Sequence, residues 1–160
     1  MITNKVNYSQ EHGDYVVSRS QQTIIFSARG PWNDETMIRG AKEMGQNIGQ
    51  LDLSKPWGCL SCLYGESLMP PSTFKAFAKH TKIRKSMGLT GLAVVIQDSD
   101  IANTIQSQLT KAYQAAEVDF AFLSDINSAI TWLSNIDVSI DTHQANQFFQ
   151  LHSFIRSRGY

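Results

Sequence analysis

The chain has 160 residues, 42% of them hydrophobic and 10% aromatic, which is enough for one domain with its own core. Fourteen Lys and Arg balance fourteen Asp and Glu, so no overall field draws it to nucleic acid or to an anionic membrane surface. No stretch approaches the roughly 20 apolar residues of a membrane span, and two cysteines, Cys59 and Cys62, are too few for a disulfide framework.

The opening MITNKVNYSQEHGDY lacks the apolar run of a secretory leader, so a cytoplasmic, reducing location is expected. Tyr15 to Ser18 and Thr23 to Ser27 then read as two strands joined by a polar turn. Asn33 or Asp34 caps a helix whose Met37, Ala41, Met44, Ile48 and Leu51 share one face. Pro56 precedes a third strand, Trp57 to Tyr64, and the turn GESLMPPS leads into a helix that Gly88 ends. Thr90 to Gln97 is almost continuously apolar, as a strand covered on both faces would be, and is expected at the centre of the sheet.

Asp98-Ser99-Asp100 offers a cap to a helix with Ile101, Ile105, Leu109 and Tyr113 at four-residue spacing. Val118 to Leu123 is a fifth strand, and Asp125 caps a helix carrying Ile126, Ala129, Ile130 and Leu133. A polar hinge, DVSIDTHQ, precedes a short aromatic helix over 148–156, with Phe148, Leu151 and Ile155 on one face. Residues 1–136 are thus expected to form the domain. Residues 137–160 are expected to form a C-terminal helical extension that packs on it or on a second subunit. The order β β α β α β α β α predicts an α/β fold with parallel pairing, right-handed crossovers and one antiparallel strand.

This order, with RGPWNDE between the second strand and the first helix and a strand-turn-helix over residues 64–75, resembles the STAS domains, and among them the SpoIIAA-like group. The resemblance covers about Tyr15 to Ile136. It implies a mixed, mostly parallel five-stranded sheet covered by helices, here with an extra C-terminal helix. It also implies a non-catalytic regulatory or binding module, because family members include anti-sigma-factor antagonists that dock on a kinase and regulatory domains of anion transporters. The fold also resembles the lipid-carrying CRAL-TRIO domains. In the antagonists a phosphorylated serine sits in an Asp-Ser-Ser-Gly turn after the third strand. That turn falls on Pro70-Pro71-Ser72-Thr73, where prolines replace the aspartate and the first serine, so Ser72 matches the second serine only and Ser67 lies a few residues early.

Glu66, Ser67, Ser72 and Thr73 stand near a helix N-terminus, where free amides favour an anion; the alternative is a plain helix start with Pro71 or Pro70 in the first turn and a serine cap. Between Glu66 and Asp98 lie five bases and no acid, and Lys75, Lys79 and Lys82 form one arc fit for an acidic partner or simply a solvated face. Arg84 falls among the apolar positions and is expected to reach solvent through its stem. Trp32 is a candidate rim residue for an apolar ligand. Cys59 and Cys62 fall inside a strand three residues apart and so point to opposite faces, as buried thiols rather than a redox or zinc pair. Candidate phosphorylation sites are thus Ser67 and Ser72, with no catalytic residue, metal or cofactor expected. Two functions follow. One is docking of a protein or small anion through the loop at 65–73 and the basic helix. The other is carriage of an apolar or lipid-like ligand in a pocket walled by Met37, Met44, Met69 and Met87 and closed by the C-terminal aromatic helix, with a homodimer as a further expectation.

Overall fold

The chain is described over residues 13–156 by a computed structural model, in which ten elements follow one another. They are β1 (Asp14–Ser20), β2 (Thr23–Arg29), α1 (Asp34–Ile48), β3 (Trp57–Tyr64), α2 (Pro71–Ser86), β4 (Leu89–Gln97), α3 (Ala102–Ala115), β5 (Asp119–Leu123), α4 (Ile126–Asn135) and α5 (Thr142–Leu151). The strands form one sheet in the order β1-β2-β3-β4-β5. β1 runs antiparallel to β2 through a two-residue turn, and every later pair is parallel.

From β2 to β5 each new strand is laid beside the last on the same side. Right-handed crossovers then put all three connecting helices, α1, α2 and α3, on one face. Ile24, Ala28, Cys59, Leu63, Leu92 and Val94 point to that face and pack with Met44, Ile48, Ile105, Leu109 and Tyr113. The other side chains of the same strands, Ile25, Leu60, Cys62, Tyr64, Ala93 and Val95, face the opposite way, where among the described residues the chain beyond β5 covers them. α4 supplies Ala129, Ile130 and Leu133, and α5 supplies Ala145 and Phe149.

The helix starts follow side-chain chemistry. Asn33, not Asp34, caps α1, its Oδ1 accepting from the Thr36 amide at 3.2 Å. Asp125 and Asp141 do the same for α4 and α5, each at 2.7 Å. α3 departs from expectation: it begins at Ala102 without a side-chain cap, and Asp98 is turned away to pair with Arg29 at 2.8 Å. The middle strand is β3, not β4. The apolar run in β4 reflects cover on both faces, which a strand beside the centre also has.

The last helix also differs from expectation. It begins six residues earlier, because Asp141 in the supposed hinge is its cap, and it ends at Leu151 rather than running to 156. Its inward face is therefore Ala145 and Phe149, while Leu151 and Ile155 are 77% and 59% exposed. Beyond it the chain lies across the carboxyl ends of the strands: Ser27 Oγ donates to the His152 carbonyl at 2.6 Å and Arg29 to that of Phe154 at 2.7 Å. Phe149→Ala should lower unfolding stability in urea by about 3 kcal/mol by opening a cavity under α5, whereas Leu151→Ala should change it by less than about 0.5 kcal/mol.

Candidate functional site

Pro70 and Pro71 open α2, Pro71 at the first helical position where its missing amide hydrogen costs nothing. No side chain of the helix itself caps it. Instead Asp34, at the start of α1, reaches across: Thr73 Oγ1 donates to its carboxylate at 2.6 Å and Ser72 Oγ at 3.0 and 3.1 Å. Two helix N-termini, both positive ends of their dipoles, thus share one exposed acid. Thr73 is fully buried and Ser72 exposed.

Ser67 is buried, donating to the Tyr64 carbonyl at 2.8 Å and accepting from the Gly30 amide at 3.1 Å. A Cβ on Gly30 would stand 2.8 Å from the Ser67 backbone, so this close approach requires glycine. Gln108 of α3 holds both the amide and the carbonyl of Met69, at 3.0 and 2.8 Å. The loop is therefore pinned on two sides, with the Ser67 hydroxyl engaged within it. Phosphate on Ser72 would stand against the Asp34 carboxylate, where like charges repel.

The other candidates separate in space. Glu66 is exposed on the rim formed by Arg29, Asp98, Asp100 and Arg156, at the carboxyl ends of the strands. Lys75, Lys79 and Lys82 are exposed on the outer side of α2, where they edge a shallow groove floored by Phe74, Ala78 and Ile83. Trp32 is buried and faces inward.

What Trp32 faces is a recess of about 100 Å³ between the sheet and the layer of α1, α2 and α3. The sheet side is Tyr15, Phe26, Cys59, Ser61, Leu63 and Leu92. α1 contributes Met37, Gly40, Ala41 and Met44, α2 contributes Phe77, Thr81 and Arg84, and α3 contributes Leu109 and Tyr113. Gly40 and Ala41 leave the room, because larger side chains there would fill it. A recess that size is several times what one water requires. Met37, Met44 and Met69 do line it, as expected of a pocket wall, but Met87 does not. The expected lid fails outright: α5 packs on the opposite face of the sheet, so it cannot close over this space.

Arg84 corrects a second expectation. α2 turns Thr73, Phe77, Thr81 and Arg84 toward the sheet, at spacings of four, four and three, so Arg84, half-buried as a whole residue, lines the recess instead of standing free on the outer face. Burial pushes it below its ordinary value, opposed by the Cys59 thiol and the Tyr113 phenol nearby. Those neighbours are neutral: burial raises the Tyr113 phenol and pushes the Cys59 thiol up to about 11. Cys62, on the other face, is likewise raised by burial. Both cysteines are free, and neither has the lowered value of a reactive thiol. His80 is lowered by burial, then by Arg84 and Lys79, and its Nδ1 is buried without a hydrogen-bond partner. Among the described residues no group of three His, Cys, Asp or Glu could hold a metal, and no helix is long and apolar enough to cross a membrane.

No protein-family model and no curated protein matches the sequence. Among solved structures, the chain is similar to an uncharacterised protein of the DUF3478 family with a SpoIIAA-like fold from Shewanella loihica PV-4. The two share 18% identity over 76% of this chain and 94% of the other, with a TM-score of 0.54. The fold is SpoIIAA-like, an α/β mixed five-stranded sheet with helices on both faces.

The buried thiol makes stability depend on pH in a definite direction. An unfolded chain releases the Cys59 proton near its ordinary 9.0 and the folded one only near 11, so the contribution is complete below the first value and lost between the two. The stability gap between the wild type and Cys59→Ala should therefore narrow by roughly 2 to 3 kcal/mol as pH rises through that window, measured by urea unfolding at several pH values.

Proposed function

We propose that the protein is a non-catalytic binding module that takes a small apolar molecule into the recess between the sheet and α1, α2 and α3. The observation that carries this is the recess itself, about 100 Å³ lined almost wholly by apolar side chains. The adaptable Met37, Met44 and Met69 suit a ligand wall. Catalysis has no comparable support: the thiols are held protonated, and among the described residues His80 Nδ1 has no hydrogen-bond partner to orient it as a base. Hexan-1-ol titrated into the intact protein should give saturable amide shifts in α1 and α2 by nuclear magnetic resonance. Ala41→Leu, which fills the recess, should weaken that binding at least tenfold while leaving the fold intact. Shifts that fail to saturate, or that survive Ala41→Leu, would remove the recess as the site.

A second reading rests on the outer side of the same helix. Lys75, Lys79 and Lys82 border a groove with an apolar floor, and Ile83 and Met87 beside it are 46% and 38% exposed. Cations around exposed apolar area fit an acidic protein partner with an apolar anchor. Its electrostatic part is long-ranged and weakened by salt. Replacing all three lysines by Glu should abolish salt-sensitive capture of such a partner with unchanged circular dichroism. Capture that persists in the triple variant would exclude the groove.

A further inference from the structure

We propose that the recess takes a small apolar carboxylate, whose head pairs with the Arg84 guanidinium and whose tail runs toward Met37, Met69 and Trp32. This rests on reading the recess as a ligand site and names the chemical class of its occupant.

The argument begins with what Arg84 lacks. It lines the recess beside Cys59 and Tyr113, and among the described residues no carboxylate forms an ion pair with it. The nearest acid to the start of this helix, Asp34, is exposed and is occupied by Ser72 and Thr73 at the far end of α2. A cation withdrawn from water with no counter-charge is unfavourable, and arginine does not escape by losing its proton. The remaining polar groups do not compete for it. Thr81 Oγ1 donates to the Phe77 carbonyl of its own helix at 2.9 Å, and the thiol and phenol stay protonated, so neither supplies a negative charge to balance the guanidinium. A recess with one guanidinium, neutral hydroxyl and thiol groups from Tyr15, Thr36, Cys59, Ser61, Thr81 and Tyr113, and otherwise apolar walls is complementary to an amphiphile with an anionic head.

Charge and direction narrow the class. One guanidinium balances one charge and offers a planar fork that matches a carboxylate. A phosphate monoester carries between one and two charges at neutral pH, which would leave excess charge buried. Arg84 lies over Cys59 and Leu89, near the amino ends of β3 and β4, while Leu63, Met69 and Trp32 line the end nearest the carboxyl termini of the strands. The head therefore sits at the first end and the tail at the second.

Hexanoate and hexan-1-ol, equal in carbon number and different only in the head group, would be titrated at neutral pH into the full chain and into Arg84→Met and Arg84→Lys. Hexanoate should bind the wild type at least tenfold more tightly than hexan-1-ol. Arg84→Met should bring hexanoate down to the level of the alcohol while leaving the alcohol within threefold, and Arg84→Lys should fall between. Equal affinities of the two compounds for the wild type, or hexanoate affinity that survives Arg84→Met, would overturn the carboxylate assignment and leave the recess as a neutral site. Binding of neither compound would overturn both. The wild-type comparison alone decides the matter if a variant fails to fold.

Discussion

The handedness of the crossovers governs most of this molecule. Four strands laid down in one direction across a sheet, each joined to the next by a right-handed connection, force three helices onto a single face. The opposite face of β2, β3 and β4 is just as apolar and receives nothing from those connections. The segment beyond β5 is therefore part of the fold and not an appendage: α4 and α5 are the second layer. The same constraint locates the recess, since it lies on the face where three helices must share the sheet and α2 brings threonine and arginine inward.

The two regions marked by polar residues in the sequence have turned out to be different in kind. The turn after β3 is consumed by its own architecture. Ser67 joins two loops, Asp34 serves the starts of two helices, and Gln108 clasps Met69 from α3. Each serine or threonine hydroxyl there that looked available for an anion has a partner in the protein. Arg84 is the reverse case: a single charged residue in an amphipathic pattern that the fold turns toward the recess, half-buried, with no acid against it among the described residues.

That contrast shows what a sequence displays and what it hides. Strand positions were legible because β-branched and aromatic runs are bounded by turn residues, and the alternation of strand side chains put Cys59 and Cys62 on opposite faces without any structure. Cover on both faces was legible for β4, but its rank in the sheet was not, because β3 carries an equally buried run. The start of α5 was lost by treating Asp141 as hinge when it was a cap. The recess was out of reach because volume depends on how helices sit over a sheet. A signal for Arg84 did exist: Thr73, Phe77, Thr81 and Arg84 form one stripe, so the weakly apolar face of α2 was already visible. Assuming that an arginine on such a stripe must reach out to water concealed it.

Folding alone does not explain that stripe. A leucine or methionine at position 84 would fill space, bury apolar area and remove a desolvated charge, and such replacements of buried ions are commonly neutral or stabilising. Thr81 buries a hydroxyl only by returning its hydrogen bond to the helix it belongs to. A sheet face otherwise built from Ile, Leu, Val and Phe thus meets a helix that contributes little apolar cover and leaves a recess beside a cation. Apolar recess walls and a partly desolvated cation are each unfavourable against water, by separate physical terms, and they coincide in one place. An occupant that fills the space with hydrocarbon and supplies one negative charge relieves both at once, which is why the two features are better explained together than as independent packing defects.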